Sequence, residues 1–246
     1  MPGLQVFSIL DSTDSTNNYA MAKVHAGLAK HGMAWFAKEQ TAGKGQRGRA
    51  WVTGINENIA LSIALEPSWL NPSRQFEISV AVSLGCYDFF KKYAGEGTSI
   101  KWPNDIYWSD RKAGGILIEN ILQGNAWLFS IVGIGININR LSFSKDLKYA
   151  VSLKQIKDAE YDCIKLGEEL YALVMHRVEG LKKSGFSKYL QAYNEVLYKC
   201  NSTAKFKREN IVFSALVKNV TPRGTLVLLQ NALETEYDFG ELTWVQ

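Results

Sequence analysis

The run NIALSIAL, 58–65, alternates along its whole length, with Ile59, Leu61, Ile63 and Leu65 on one side and small or polar residues on the other. A period of two predicts a half-buried strand whose aliphatic face meets a core. The short apolar-rich runs at 4–10 (LQVFSIL) and 33–40 (MAWFAKEQ) also read as strands. Strand-like segments follow in SIKWPNDIYW, KAGGILIENIL and AWLFSIVGIGININ, separated by SDR and QGN turns. DSTDSTNNYAMAKVHAGLA, between the first two strands, offers capping residues and then helical spacing that ends before Gly32. Further helices are predicted over 72–93, where Pro72 stands at the start, and over 163–184 and 185–198. After Cys200 the chain changes to short alternating runs, TAKFKR, IVFSALVKNVT, GTLVLL and ETEYDFG, with a turn at Pro222, Arg223 and Gly224. A small β-barrel of roughly 45 residues, leaning on the larger domain, fits that pattern.

Composition narrows the function classes. A chain of 246 residues with 46% hydrophobic content can bury a sizeable core. Its net charge of +4 suits anionic ligands but is too small to demand nucleic acid. Cys86, Cys163 and Cys200 are odd in number and far apart, and His25, His31 and His176 show no ligand spacing. A reduced, cytoplasmic chain without a structural metal is the expectation. No stretch approaches the roughly 18 apolar residues of a membrane helix.

The loop GKGQRGRAW, 43–51, satisfies the G-x-G-x-x-G spacing of a dinucleotide fingerprint. Such a fingerprint must open a helix, whereas RAWVTGINEN leads into a strand, and no G-K-[ST] closes a phosphate loop. What remains is a strand-to-strand loop in which glycines bare the backbone N–H groups and Lys44, Arg47 and Arg49 add charge. On its own this stretch is equally a solvated basic turn. Three companions favour an anion site. In KWPNDIYW, Pro103 holds Trp102 extended and sets Lys101, Asn104 and Asp105 in a stiff turn. In DRKAGGILIE, Lys112 enters an apolar strand and needs a partner. In IVGIGININ, Gly133, Gly135, Asn137 and Asn139 share one face, bare enough for a flat ligand.

Taken together and in this order, EQTAGKGQRGRAW, KWPNDIYW, DRKAGGILIE and GIGININ resemble the biotin protein ligases, and DSTNNYA at 14–20 resembles their opening motif. The resemblance implies a mixed α/β (α+β) catalytic domain over 1–200, with a central sheet and flanking helices, and an SH3-like β-barrel over 201–246. It implies formation of biotinyl-5'-AMP from biotin and ATP, with Mg²⁺, and transfer to a lysine of a biotin carboxyl carrier protein by a monomer or homodimer. Ser15, Thr16, Asn17, Gln40, Gly43, Lys44, Gly45, Gly114 and Gly115 would then bind biotin. Lys112 would bridge its carboxyl and the phosphate, with Arg47 and Arg49 steadying the phosphates. Trp51, Asn104, Asp105 and Asn137 would serve the nucleotide, Asp105 also the metal.

Two features depart from the family pattern. Gln46 stands where a second basic residue is usual, and DST occurs twice, at 11–13 and 14–16, of which the later is followed by Asn17 as the pattern requires. The first ligase motif begins so early that no DNA-reading domain is expected before it, hence no specific DNA partner. A lipoate or octanoyl ligase of the same superfamily is the nearest alternative. A basic nucleic-acid module is the alternative from another class, and it leaves Lys112 and the bare glycine face without a role.

Overall fold

The computed structural model describes residues 6–124 and 126–245. Seven strands make one mixed sheet: β1 (Phe7–Leu10), β2 (Ala34–Ala37), β3 (Asn58–Leu65), β4 (Thr98–Lys101), β5 (Asp105–Trp108), β6 (Arg111–Gln123) and β7 (Ala126–Asn137). Their order is β1-β2-β3-β7-β6-β5-β4. β1 and β2 run parallel and the other ladders antiparallel. A parallel pair needs a crossover, and α1 (Thr16–His25) supplies it. The first expected strand begins among residues 1–5, outside the described part.

The two faces of β3 enter different environments. Ile59, Leu61, Ile63 and Leu65 join the main core with residues of α2 (Gln75–Ala94) and α4 (Cys163–Ser184). α4 opens on Asp162, whose carboxylate accepts the N–H groups of Ile164 and Lys165 at 3.0 and 3.1 Å. It then turns Leu166, Leu170, Val174, Val178 and Leu181 inward at helical spacing. Gly85 of α2 lets the two helices approach, since a Cβ there would lie 2.7 Å from Val174 Cα. Truncating the fully buried Leu170 to Ala would cost about 2 to 5 kcal/mol.

The other row of β3 corrects the half-buried expectation: all eight residues are buried. The cause is α1, which lies across that face. Ser62 meets Thr16 and Asn17, and Ala64 packs with Ala20 and Trp35. Beyond the sheet, α3 (Leu153–Lys157) is opened by a Ser152–Gln155 capping box, and α5 (Phe186–Glu195) leads to the last strands.

Those strands are β8 (Thr203–Arg208), β9 (Ile211–Val220), β10 (Leu226–Gln230), β11 (Leu233–Tyr237) and β12 (Thr243–Val245). They pair antiparallel in the order β11-β10-β9-β8-β12. Among the described residues no ladder joins β11 to β12, so the expected barrel is here a five-stranded sheet without that closing pair. It is tied to the larger sheet: Trp102 Nε1 donates to Gly224 O at 2.9 Å, and the Asn194 side chain both donates to Val220 O and accepts from Val220 N. Among the described residues no helix is long and apolar enough to cross a membrane.

Candidate active site

The motif segments meet because each lies at or beside the end of a neighbouring strand. On the face of the sheet that carries α1, they surround a cavity of about 450 Å³. Its floor is β7, where Gly133 and Gly135 are required by close approach. A Cβ on Gly133 would overlap the Asn17 amide, and one on Gly135 would overlap the Trp51 indole. The bare face read from GIGININ is therefore covered by two side chains from distant loops.

One end is uncharged and hydrogen-bonding. Thr16 donates twice to Gln40 Oε1, from its N–H at 2.8 Å and its hydroxyl at 3.1 Å, which orients the Gln40 amide. The Ser62 hydroxyl lies 2.7 Å from Thr16 Oγ1 and 2.6 Å from Asn17 Oδ1, and Asn17 Nδ2 donates to Glu119 at 2.7 Å. Asn17 is thus engaged by the protein on both sides of its amide, a positioning role rather than an open one. Ser15 stands at the N-cap of α1, yet its hydroxyl makes no capping hydrogen bond, and the residue lines the cavity.

The opposite wall is charged. Lys112 Nζ lies 2.6 Å from Asp105 Oδ1, which supplies the partner that a lysine in this strand needs. Asn104 Nδ2 donates to Ile116 O at 2.5 Å, and Asn137 Nδ2 to Val151 O at 3.2 Å, so both amides are fixed. Lys101, which the sequence places in the stiff turn, is 8% exposed. Burial pushes its ammonium down to about 8, and the charges of Asp105 and Lys112 act on it in opposite directions.

The basic loop is folded rather than splayed. Trp51 N–H donates to Gly43 O at 2.8 Å and Gly45 N–H to Arg49 O at 2.6 Å, around a single tight turn at Gln46–Gly48. Lys44 Nζ donates to Asn18 Oδ1 at 2.5 Å. Arg47 reaches across to the segment before β12, its Nη2 donating to Phe239 O at 3.2 Å, and both residues line the cavity.

All the site residues expected from the sequence line this cavity except Gly43 and Gly114. Gly43 serves the loop's own hairpin, and Gly114 faces Ile136 on the core side of the sheet. Sequence reasoning missed the remaining wall, formed by Arg140, Phe143 and Leu147 on one side and Phe239, Leu242 and Trp244 on the other. The apolar and aromatic Leu141, Phe143, Leu147 and Tyr149, spaced among polar residues just after GIGININ, were the available signal for the first group. In the second, Trp244 carried no such signal, because β12 is only three residues long.

Fold and site together form a pocket with a glycine floor, an uncharged hydrogen-bonding end and a charged wall, bordered by a basic loop. The chain belongs to the biotin/lipoate A/B protein ligase family, whose family model matches residues 9–137. It is 26% identical over 240 residues to the bifunctional ligase/repressor BirA of Escherichia coli, covering 96% of this chain and 73% of that protein. It is 38% identical over 133 residues to the biotin--[acetyl-CoA-carboxylase] ligase of Paracoccus denitrificans, covering 53% of each. In fold it matches the biotin protein ligase of Aquifex aeolicus solved with biotin and ATP, with a TM-score of 0.82, 21% identity, and 99% and 100% of the two chains covered.

Proposed function

We infer that this chain is an ATP-dependent biotin ligase. It joins the biotin carboxylate to the α-phosphate of ATP, releasing pyrophosphate. It then passes the biotinyl group from biotinyl-5'-AMP to a lysine amine of a biotin carboxyl carrier protein, releasing AMP. The observation that carries this reading is the Lys112–Asp105 pair at 2.6 Å, in the same cavity as the Thr16–Gln40 pair at the uncharged end.

The first step brings two anions together, so it needs cations and positioned donors rather than a side-chain nucleophile. Ser15 and the Gln40 amide offer hydrogen bonds to the biotin ring, against the glycine floor. Lys112 neutralises the junction of carboxylate and phosphate. Arg49 supports the phosphate, and Trp51, seated on Gly135, gives the nucleotide a flat apolar wall. The loop of 43–54 shields the mixed anhydride from water.

Magnesium fits this site only as an ion held chiefly by phosphate oxygens. Among the described residues Asp105 is the one carboxylate that lines the cavity, one of its oxygens is engaged by Lys112, and no cluster of three ligand side chains exists. Bound with ATP, the ion would offset phosphate charge, with Asp105 as its protein contact.

Mass spectrometry tests the reading. Incubation with ATP, Mg²⁺, biotin and a carrier domain should add one biotinyl group to a single carrier lysine. Lipoate or octanoate incorporation in its place would move the chain to the other branch of the family.

A further inference from the structure

The end of the cavity nearest the C-terminal sheet holds a cation that the reaction above leaves unused. Lys101 is the last residue of β4, buried yet lining the cavity. Its ammonium sits among three aromatic rings, 4.5 Å from the centroid of Tyr107, 5.2 Å from Trp244 and 5.6 Å from Tyr198. The Tyr107 hydroxyl at 3.0 Å is its hydrogen-bond partner among the described residues. An ammonium has three N–H donors, so this leaves it under-satisfied. The indole N–H of Trp244, which lines the same cavity, is buried with no partner among the described residues. An under-satisfied ammonium and an indole N–H without an acceptor, both on residues that line one cavity, suit an oxygen-rich anion.

Sheet order says which anion. The biotin end rests on β7 and β3, Lys112 stands on β6, Asp105 on β5 and Lys101 on β4, in that spatial order. In an in-line displacement the leaving oxygen departs opposite the attacking one. A carboxylate arriving from the β7 side at a phosphate held by Lys112 therefore expels pyrophosphate towards β4.

Resting on the ligase reading, we propose that Lys101, with the Trp244 N–H beside it, binds the pyrophosphate expelled in adenylation. The bond from carboxylate oxygen to α-phosphorus forms, the bond from α-phosphorus to the bridging oxygen breaks, and the electron pair leaves on pyrophosphate. No proton has to move. The aromatic cage holds Lys101 in place, and at neutral pH the ammonium is still charged.

Two measurements on the full chain separate this proposal from the reading it rests on. Calorimetric titration with inorganic pyrophosphate should show binding to the wild type that weakens about tenfold or more in Lys101→Met and about threefold in Trp244→Phe. Biotin-dependent exchange between pyrophosphate and ATP should show the same rise in half-saturating pyrophosphate. Biotin affinity and transfer from synthetic biotinyl-AMP to a carrier domain should be unchanged. Equal pyrophosphate affinity in wild type and variants overturns the proposal, as does slowed transfer from biotinyl-AMP with normal pyrophosphate binding. Wild-type pyrophosphate binding that depends on Lys101, without any biotin-dependent exchange, keeps the anion site and removes the ligase reading. If Lys101→Met does not fold, Trp244→Phe alone decides.

Discussion

Arg47 and Phe239 stand 192 residues apart in the chain and meet face to face: the guanidinium carbon lies 4.5 Å above the ring, and Nη2 donates to the Phe239 carbonyl at 3.2 Å. Arg47 holds a left-handed backbone with φ of 55°, a region uncommon for residues other than glycine. A Cβ on Gly240 would overlap that guanidinium. The basic loop is therefore latched to the C-terminal sheet. Phe239→Ala removes an exposed cation–π contact worth about 0.5 to 1 kcal/mol, so amide exchange across 43–54 should speed up about two- to fivefold. Gly240→Ala should act more strongly by displacing the side chain itself. Unchanged exchange in both variants would show that something else orders the loop.

Lys112 separates stability from catalysis. Its partner is close, but the lysine and Asp105 side chains remain 33% and 23% exposed, and such pairs contribute at most about 1 kcal/mol to folding. At the junction of two anions the same cation is worth about 2.7 to 4 kcal/mol in the transition state, by analogy with deleted oxyanion donors. Lys112→Ala should thus unfold at nearly the wild-type temperature and release pyrophosphate about 10² to 10³ times more slowly at saturating biotin. Near wild-type turnover would remove Lys112 from the reaction.

Gly135 tests the floor. A methyl group there would occupy the position of the Trp51 indole, and overpacking of this kind costs about 1 to 3 kcal/mol unless the neighbour moves. Trp51 sits on a loop, so it is the group expected to give way. Gly135→Ala should keep the fold, raise half-saturating ATP more than half-saturating biotin, and shift tryptophan emission to the red. The shift should vanish in a Trp51→Phe background. A shift that persists there would place the rearrangement at another of the seven tryptophans.

Where periodicity and caps agree, the sequence was a reliable guide. The helix over 163–184 has both ends as expected because Asp162 caps it and Gly185 ends it, and the strands at 58–65 and 203–208 agree in the same way. Short pieces were not legible: β12 is a strand only through its pairing with Lys205–Lys207. The second buried face of β3 was hidden because its cover, α1, lies more than 30 residues away in the chain. The site was legible as segments, since each motif carries its own chemistry. What each cation touches was not. Arg47 reads as a phosphate ligand, yet its side chain docks on Phe239, and Lys101 reads as part of a turn, yet it is enclosed by Tyr198 and Trp244. Both outcomes depend on the C-terminal sheet packing against the larger one, a relationship that no local pattern encodes.

Lys101 also sets an expectation for alkaline pH. Its ammonium is lowered from 10.5 to about 8, chiefly by burial, and the nearby charges are Asp105 and Asp110 on the favourable side and Lys112 and Lys199 on the unfavourable side. The hydroxyls of Tyr107 and Tyr198 are the other titratable groups against it, and burial and the Asp110 carboxylate push Tyr198 upward. The folded group therefore loses its proton at a lower pH than the unfolded one. Between about pH 8 and 10 the unfolded chain binds more protons, so Lys101 makes a contribution to stability that rises with pH through that window and is flat below it. Function should move the other way, because only the charged form holds pyrophosphate. The dissociation constant for pyrophosphate should increase between pH 7.5 and 9 in the wild type, a range in which pyrophosphate itself nears full ionisation and would otherwise bind a cationic site more tightly. In Lys101→Met that increase should be absent. The same upward slope in both proteins would assign the titration to another group.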